Sequence, residues 1–486
     1  MKRYIASIVA LVLFMSINVF ATPLDFSGGV ANEYLYEEFV FITGTPIKFT
    51  GKYTVSEKEK ADEETVSYKF TLTSEDPSLE GKLDRTVTYV TALSSYDDKG
   101  QTTGQTSVSK YKETVKLGAD SYTLTDYQFS KSDIIDSRPA ADFYSGNMVG
   151  RKVYTLNRNQ GTVTVDITGG NVGYENFWGS TETQVIDHII KANLPAREGE
   201  TENNWQGTVS VQVSDSLTKS LRYSENNANF SSFDGGYVRV TEEQMVSKYD
   251  YYLPSARGTL SLNQERVPKL ESLIVPKFRD VNGHWAEDHI KKLYSLNVFE
   301  GNSDIFSPNT PANRLEFTKA IMRACDIRVN MEETKTSRST RRKRNEPVEV
   351  SYFKDIAVDH ADYQYVKSGV DRQIVQGVSK DSFGPNQTLT RAQAITILIR
   401  ALGFENRAPN PGYYTSFSDD RMIPSWAKDS IYMAQQIGLV QGDAANRVNP
   451  NQPLTRAETS TLIVRFLEFL EKDLQKDYRE HIMNFN

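Results

Sequence analysis

A single cysteine among 486 residues has nothing within the chain to pair with, so no intramolecular disulfide contributes to stability. Histidine is nearly as scarce, with five in all, and only His188 precedes the last half of the chain. That scarcity argues against Ser-His-Asp, Cys-His and multi-histidine metal designs in the first half. Apolar runs long enough to cross a bilayer are lacking after the N-terminus. A positive surplus is lacking too: 56 Lys and Arg face 63 Asp and Glu, and the net charge of -7 argues against a general nucleic-acid binder. No cofactor, metal ligand or catalytic residue is assigned from the sequence.

What is present falls into parts of different texture. Residues 1–21 read as a signal peptide: Lys2 and Arg3, an apolar run from Ile5 to Phe14, then Val19-Phe20-Ala21 before Thr22. The reading is an exported protein with no transmembrane segment after cleavage. No lipid-attachment cysteine stands beside the cleavage site, so any attachment to the cell is expected to be non-covalent.

Residues 22–264 alternate with period two in short runs such as Val66, Tyr68, Phe70, Leu72 and Val209, Val211, Val213. This is the pattern of strands with one buried face. Asn159-Gln160-Gly161, Gly169-Gly170-Asn171 and Asp234-Gly235-Gly236 read as turns between them. The stretch from Glu182 to Ala192 fits either a short helix or a strand. The expectation is an all-β domain, an antiparallel sandwich or layered sheet. Glu175, in Gly173-Tyr-Glu-Asn-Phe-Trp178, is the most tempting acid for glycan chemistry, against the plainer reading of a buried aromatic turn.

From Phe278 onward one unit recurs three times. It reads Phe278-Arg-Asp, Trp285-Ala, Gly301, Pro308-Asn, Asn313-Arg314-Leu-Glu316, then Phe353-Lys-Asp, Gly377, Pro385-Asn, Thr390-Arg391-Ala-Gln393. The third copy is Phe417-Ser-Asp, Trp426-Ala, Gly442, Pro450-Asn, Thr455-Arg456-Ala-Glu458. Each proline lies six residues before its arginine, and each glycine eleven after Ile290, Val366 or Ile431. A copy this short cannot bury its own core, so the three should pack on one another. Asn313 with Glu316, Thr390 with Gln393 and Thr455 with Glu458 have the spacing of a capping box at a helix start. Behind them Ile321, Leu398 and Ile463 align between copies, as do Cys325, Leu402 and Leu467; the cysteine is therefore read as core.

The units occupy 278–327, 353–404 and 417–469, with a basic insertion at 328–350 and a helical tail at 470–486. The insertion carries Arg341-Arg342-Lys343-Arg344, few apolar residues, and the composition of a disordered loop.

These recurring motifs resemble the S-layer homology (SLH) domain in three tandem copies. The resemblance implies an all-α bundle of three helical repeats in a pseudo-threefold arrangement, whose grooves hold a cell-wall polysaccharide attached to peptidoglycan, often pyruvylated. It implies a polysaccharide-binding role for Arg314, Arg391 and Arg456, for Trp285 and Trp426, and for the central Gly301, Gly377 and Gly442. A guanidinium beside a helix start, where amides and dipole already favour an anion, matches a carboxylate. The competing reading makes each arginine a bridge to an acid of the next repeat. Repeat two departs from the pattern with Ala361 in place of tryptophan. The functional expectation is a secreted cell-wall and cell-surface (S-layer) protein displaying a β-rich domain of structural or binding role and not an enzyme. The alternatives are a wall-anchored glycan-active enzyme, an S-layer lattice subunit, or an adhesin.

Overall fold

The computed structural model describes residues 26–473 apart from 61, 97–99, 196–202, 225–235, 265, 302, 326–349 and 410–412. The stretch read as a signal peptide, almost the whole basic insertion and most of the stretch read as a helical tail therefore lie outside the described residues.

The strand-rich part is all-β as expected, but among the described residues it is one antiparallel sheet of 14 strands and not the sandwich or layered sheet expected from the alternation. The first 13 strands pair in chain order, each antiparallel to the last, and the fourteenth, Lys269–Leu273, adds to the strand Gly236–Tyr252. The strands are long, up to the 22 residues of Asn203–Ser224, and each lies beside its predecessor. No crossover separates a second layer; curvature folds the inner face onto itself instead.

The sheet is nearly closed. Side chains of its last strands reach its first: Tyr249 donates to the Gly28 carbonyl, and the Gln264 amide donates to the Ala31 carbonyl at 2.7 Å. The rings of Phe39 and Tyr249 meet edge to face at 5.3 Å.

One open sequence reading is resolved here and another changes. Glu182 to Ala192 is strand, within Gly179–Leu194. Gly169-Gly170-Asn171 is no turn but the middle of the strand Thr162–Asn176, paired on both sides. A Cβ on Gly169 would sit 2.4 Å from the Val185 carbonyl oxygen, so the close approach of strands requires glycine there. Asn159-Gln160-Gly161 is a turn as expected.

The helical part has two α-helices per repeat: α1 (Glu287–Ser295) and α2 (Arg314–Ala324), α3 (Tyr363–Asp371) and α4 (Arg391–Ala401), α5 (Ser425–Gln436) and α6 (Arg456–Glu468). The second helix of each repeat packs on the first helix of the next: α2 on α3, α4 on α5, and α6 back on α1. Ile321, Leu398 and Ile463 are wholly buried between them, and Cys325 is a buried core residue.

Backbone hydrogen bonds close the same circuit at the centre. The Ala312 amide donates to the Leu454 carbonyl at 2.9 Å, Leu454 to Leu389 at 3.0 Å, and Leu389 to Ala312 at 3.0 Å.

The two parts share a core. Phe177 and Trp178, on the turn after Thr162–Asn176, are buried among the helical residues, and the Asn176 amide donates to the Leu470 carbonyl at 3.1 Å. Glu175 thus sits at a junction beside a buried aromatic turn. Its cross-strand neighbour is Asp142, and burial, reinforced by that carboxylate, pushes Glu175 up to about 7.

Candidate functional site

Each repeat builds its helix start in the same way. The aspartate of the Phe-x-Asp motif accepts two amides from the loop before the repeated proline. Asp280 takes Phe306 and Ser307 at 2.9 and 2.6 Å, Asp355 takes Phe383 and Gly384 at 2.8 and 2.7 Å, and Asp419 takes Val448 and Asn449 at 2.9 and 2.8 Å. The second amide in each pair belongs to a residue with positive φ: Ser307, Gly384 and Asn449. The aspartate holds that left-handed step in place. Its threefold recurrence was visible in the sequence; the amides it serves were not.

The loop so fixed receives the helix of another repeat. Arg314 N donates to Gln387 O at 3.0 Å, Arg391 N to Gln452 O at 3.0 Å and Arg456 N to Thr310 O at 2.9 Å. The next amides, of Leu315, Ala392 and Ala457, donate to Pro385, Pro450 and Pro308. Asn313, Thr390 and Thr455 cap the third. The expectation that open amides at these helix starts invite an anion does not hold, because protein carbonyls and caps already occupy them.

The capping boxes are complete at Thr390 with Gln393 and Thr455 with Glu458, and half-made at Asn313. There the side chain accepts the Glu316 amide at 2.7 Å, while the Glu316 carboxylate pairs instead with Arg456 Nη1 at 3.1 Å.

The three arginines therefore line three seams with different surroundings. Arg314 is 6% exposed, lies 5.1 Å over the Phe383 ring and donates to the Gln376 carbonyl; burial, with Arg400 nearby, pulls its guanidinium down to about 10. Arg456 keeps 27% of its side chain exposed, lies 4.6 Å over Phe306 and bridges to Glu316. Arg391 is half-buried and makes no side-chain hydrogen bond or ion pair among the described residues; at the position of Phe306 and Phe383 its seam has Val448. That difference was readable by aligning the residue two places before each repeated proline.

Trp285 and Trp426 stand at the starts of the first helices, 62% and 54% exposed. Beside Trp285, Ala286 is buried in one cluster with Phe306 and Ala457, the residue after Arg456, so the indole and that guanidinium flank the same seam. At Ala361 the corresponding seam carries no indole. The central glycines act differently from the other residues proposed with them. A Cβ on Gly377 would lie 2.5 Å from the Phe353 ring, one on Gly442 would press on Asn446, and Gly301 takes a φ of 144°. Smallness at Gly377 and Gly442, and backbone freedom at Gly301, serve the turn.

Among the described residues, no helix is long and apolar enough to cross a membrane, and no group of His, Cys, Asp and Glu is placed to hold a metal.

The helical part is a closed ring of three similar helix pairs, each second helix packed on the first helix of the next copy. The helical copies belong to the S-layer homology domain family, whose model matches residues 277–318, 352–395 and 416–460. The chain is similar to the "Amylopullulanase" of Thermoanaerobacterium thermosulfurigenes, 28% identical over 44% of this chain and 11% of that protein. It is also similar to the "Surface-layer 125 kDa protein" of Lysinibacillus sphaericus, 27% identical over 42% of this chain and 16% of that protein. With the "Exoglucanase XynX" of Acetivibrio thermocellus the identity is 24% over 81% of this chain and 34% of that protein, an alignment that reaches beyond the repeats. The chain spans about a third or less of the length of these relatives. With three such domains in tandem and surface-layer proteins among its relatives, it is a cell-surface protein.

Proposed function

We propose that the three repeats form a pseudo-threefold anchor that holds the protein non-covalently on a cell-wall polysaccharide, and that the strand-rich domain is displayed from it in a structural or binding role. The observation that carries this reading is the seam holding Arg456 and Trp285: a part-exposed guanidinium over an aromatic ring, with an exposed indole beside the same buried cluster. A guanidinium supplies a forked donor to a carboxylate such as a pyruvate ketal, and an indole face packs on a sugar ring. The closed circuit of backbone bonds between repeats supports the threefold arrangement. Arg391 and Trp426 belong to the same reading; the glycines Gly301, Gly377 and Gly442 support the turns beside the seams.

The test is sedimentation of the whole chain with purified wall sacculi before and after chemical stripping of the wall polymer. Binding that disappears on stripping is the expected result. Equal sedimentation with stripped sacculi would overturn the proposal.

A wall-anchored glycan-active enzyme is the second reading, favoured by the alignment with the exoglucanase that reaches into the strand-rich part. Release of reducing sugar from wall glycan by the whole chain, lost on a single carboxylate substitution in that part, would establish it over the first.

A further inference from the structure

The strand-rich domain carries a half-open pocket of about 90 Å³ that no part of the anchoring function uses. Its wall combines Phe26, Tyr68 and Tyr89 with a polar floor of Lys131, Asn171 and Glu182. Asn171 is only 7% exposed, and its side-chain oxygen is buried without a hydrogen-bond partner. A buried acceptor left unsatisfied costs free energy, so such an atom facing a cavity marks the place of a missing donor.

The donors around it are already committed. The Asn171 amide group and the Gln184 amide group both donate to Glu182 Oε1, at 3.1 and 2.8 Å. Lys131 Nζ donates to Asp133 Oδ1 at 2.6 Å, and the hydroxyls of Thr91 and Thr106 bond each other at 2.8 Å. Carboxyl groups of Glu64, Asp133 and Glu182 surround the single cation Lys131, which is paired with Asp133, and burial raises Glu182 to about 7 and Glu64 above its usual value. The open valence is thus an acceptor beside carboxyl groups that a bound cation would hold ionised, between aromatic faces that stabilise one.

We propose that this cavity binds a small molecule carrying a primary ammonium group, seated among Asn171, Asp133 and Glu182 with its apolar body against Tyr68 and Tyr89. The volume limits the guest to a compact organic molecule, larger than one water and smaller than a disaccharide. The proposal is independent of wall binding, since it draws on no residue of the helical repeats.

The experiment is calorimetric titration of the full chain with n-butylammonium and, as its neutral partner of the same shape, butan-1-ol. The ammonium should bind about tenfold or more tightly than the alcohol, as expected when a charged donor meets carboxylates in a shielded site. Glu182→Gln and the more exposed Asp133→Asn should each weaken ammonium binding about fivefold or more, with thermal melts showing the fold intact. Should Glu182→Gln fail to fold, the Asp133→Asn titration decides alone. Equal affinity for amine and alcohol, absence of binding by either, or unchanged affinity in a well-folded Asp133→Asn protein would each overturn the assignment.

Discussion

Arg314, Arg391 and Arg456 hold one position in three copies and meet three surroundings, so substitutions there should separate packing from binding. Arg314 is buried against Phe383 and satisfies the Gln376 carbonyl; Arg314→Ala removes a cation-aromatic contact and orphans that acceptor. Its expected cost is about 1 to 3 kcal/mol of stability, read as a lower melting temperature, with wall affinity per folded molecule unchanged. Arg456→Ala should instead weaken binding to a pyruvylated wall fragment by roughly 1.5 to 3 kcal/mol, the range for hydrogen bonds to charged groups. It should lower the melt less than Arg314→Ala does: the contact over Phe306 is lost, but the exposed Glu316 it releases is solvated and the Thr455 cap is separate. Trp285→Ala should behave like Arg456→Ala, as both flank one seam. Titration calorimetry paired with thermal melts checks all three; early melting with normal affinity in Arg456→Ala as well as Arg314→Ala would make these two arginines inter-repeat struts alone.

At the scale of the element, the helix starts depend on a loop that one aspartate holds. Asp355→Ala leaves the amides of Phe383 and Gly384 without their acceptor and frees a left-handed step that the first turn of α2 rests on through the Pro385 carbonyl. The expected loss is about 1 to 3 kcal/mol, more than for Thr390→Ala, which removes one cap worth about 1. Chemical denaturation of both variants checks the order. These helices were legible because their signals are local: a cap, a periodic stripe, a glycine at a fixed offset. The sheet was legible only strand by strand, since alternation fixes which face is buried and says nothing about which strand lies beside which. The Gly169-Gly170 pair shows the limit, reading as a turn by composition while serving close strand approach in a position set by Val185 on another strand. The seams were legible as positions but not as contacts, because whether Arg314 is spent on Phe383 and Gln376 depends on how neighbouring repeats dock.

For the whole molecule, the decisive contact is the junction where strands and helices share one core through Phe177 and Trp178. Beside it Asp142 and Glu175 face each other in register, and burial raises both carboxyl groups, Glu175 to about 7, with Lys219 working the other way. An acid whose folded pKa exceeds its unfolded value binds its proton more tightly in the native state. Its stabilising contribution is full below the unfolded value near 4.5, and is lost as pH rises toward 7. The junction should therefore be firmest in mild acid and lose stability as pH rises between 4.5 and about 7, by about 1 to 2 kcal/mol once the part-exposure of Glu175 is allowed for. Glu175→Gln removes that penalty while keeping the shape. The variant should melt higher than the unsubstituted chain at pH 8 and alike at pH 4.5, which differential scanning calorimetry at the two pH values resolves. A variant that melts lower at pH 8 would mean that the ionised carboxylate, held by Lys219, fastens the two parts together, and the display of the sheet would then tighten rather than loosen as the surroundings turn alkaline.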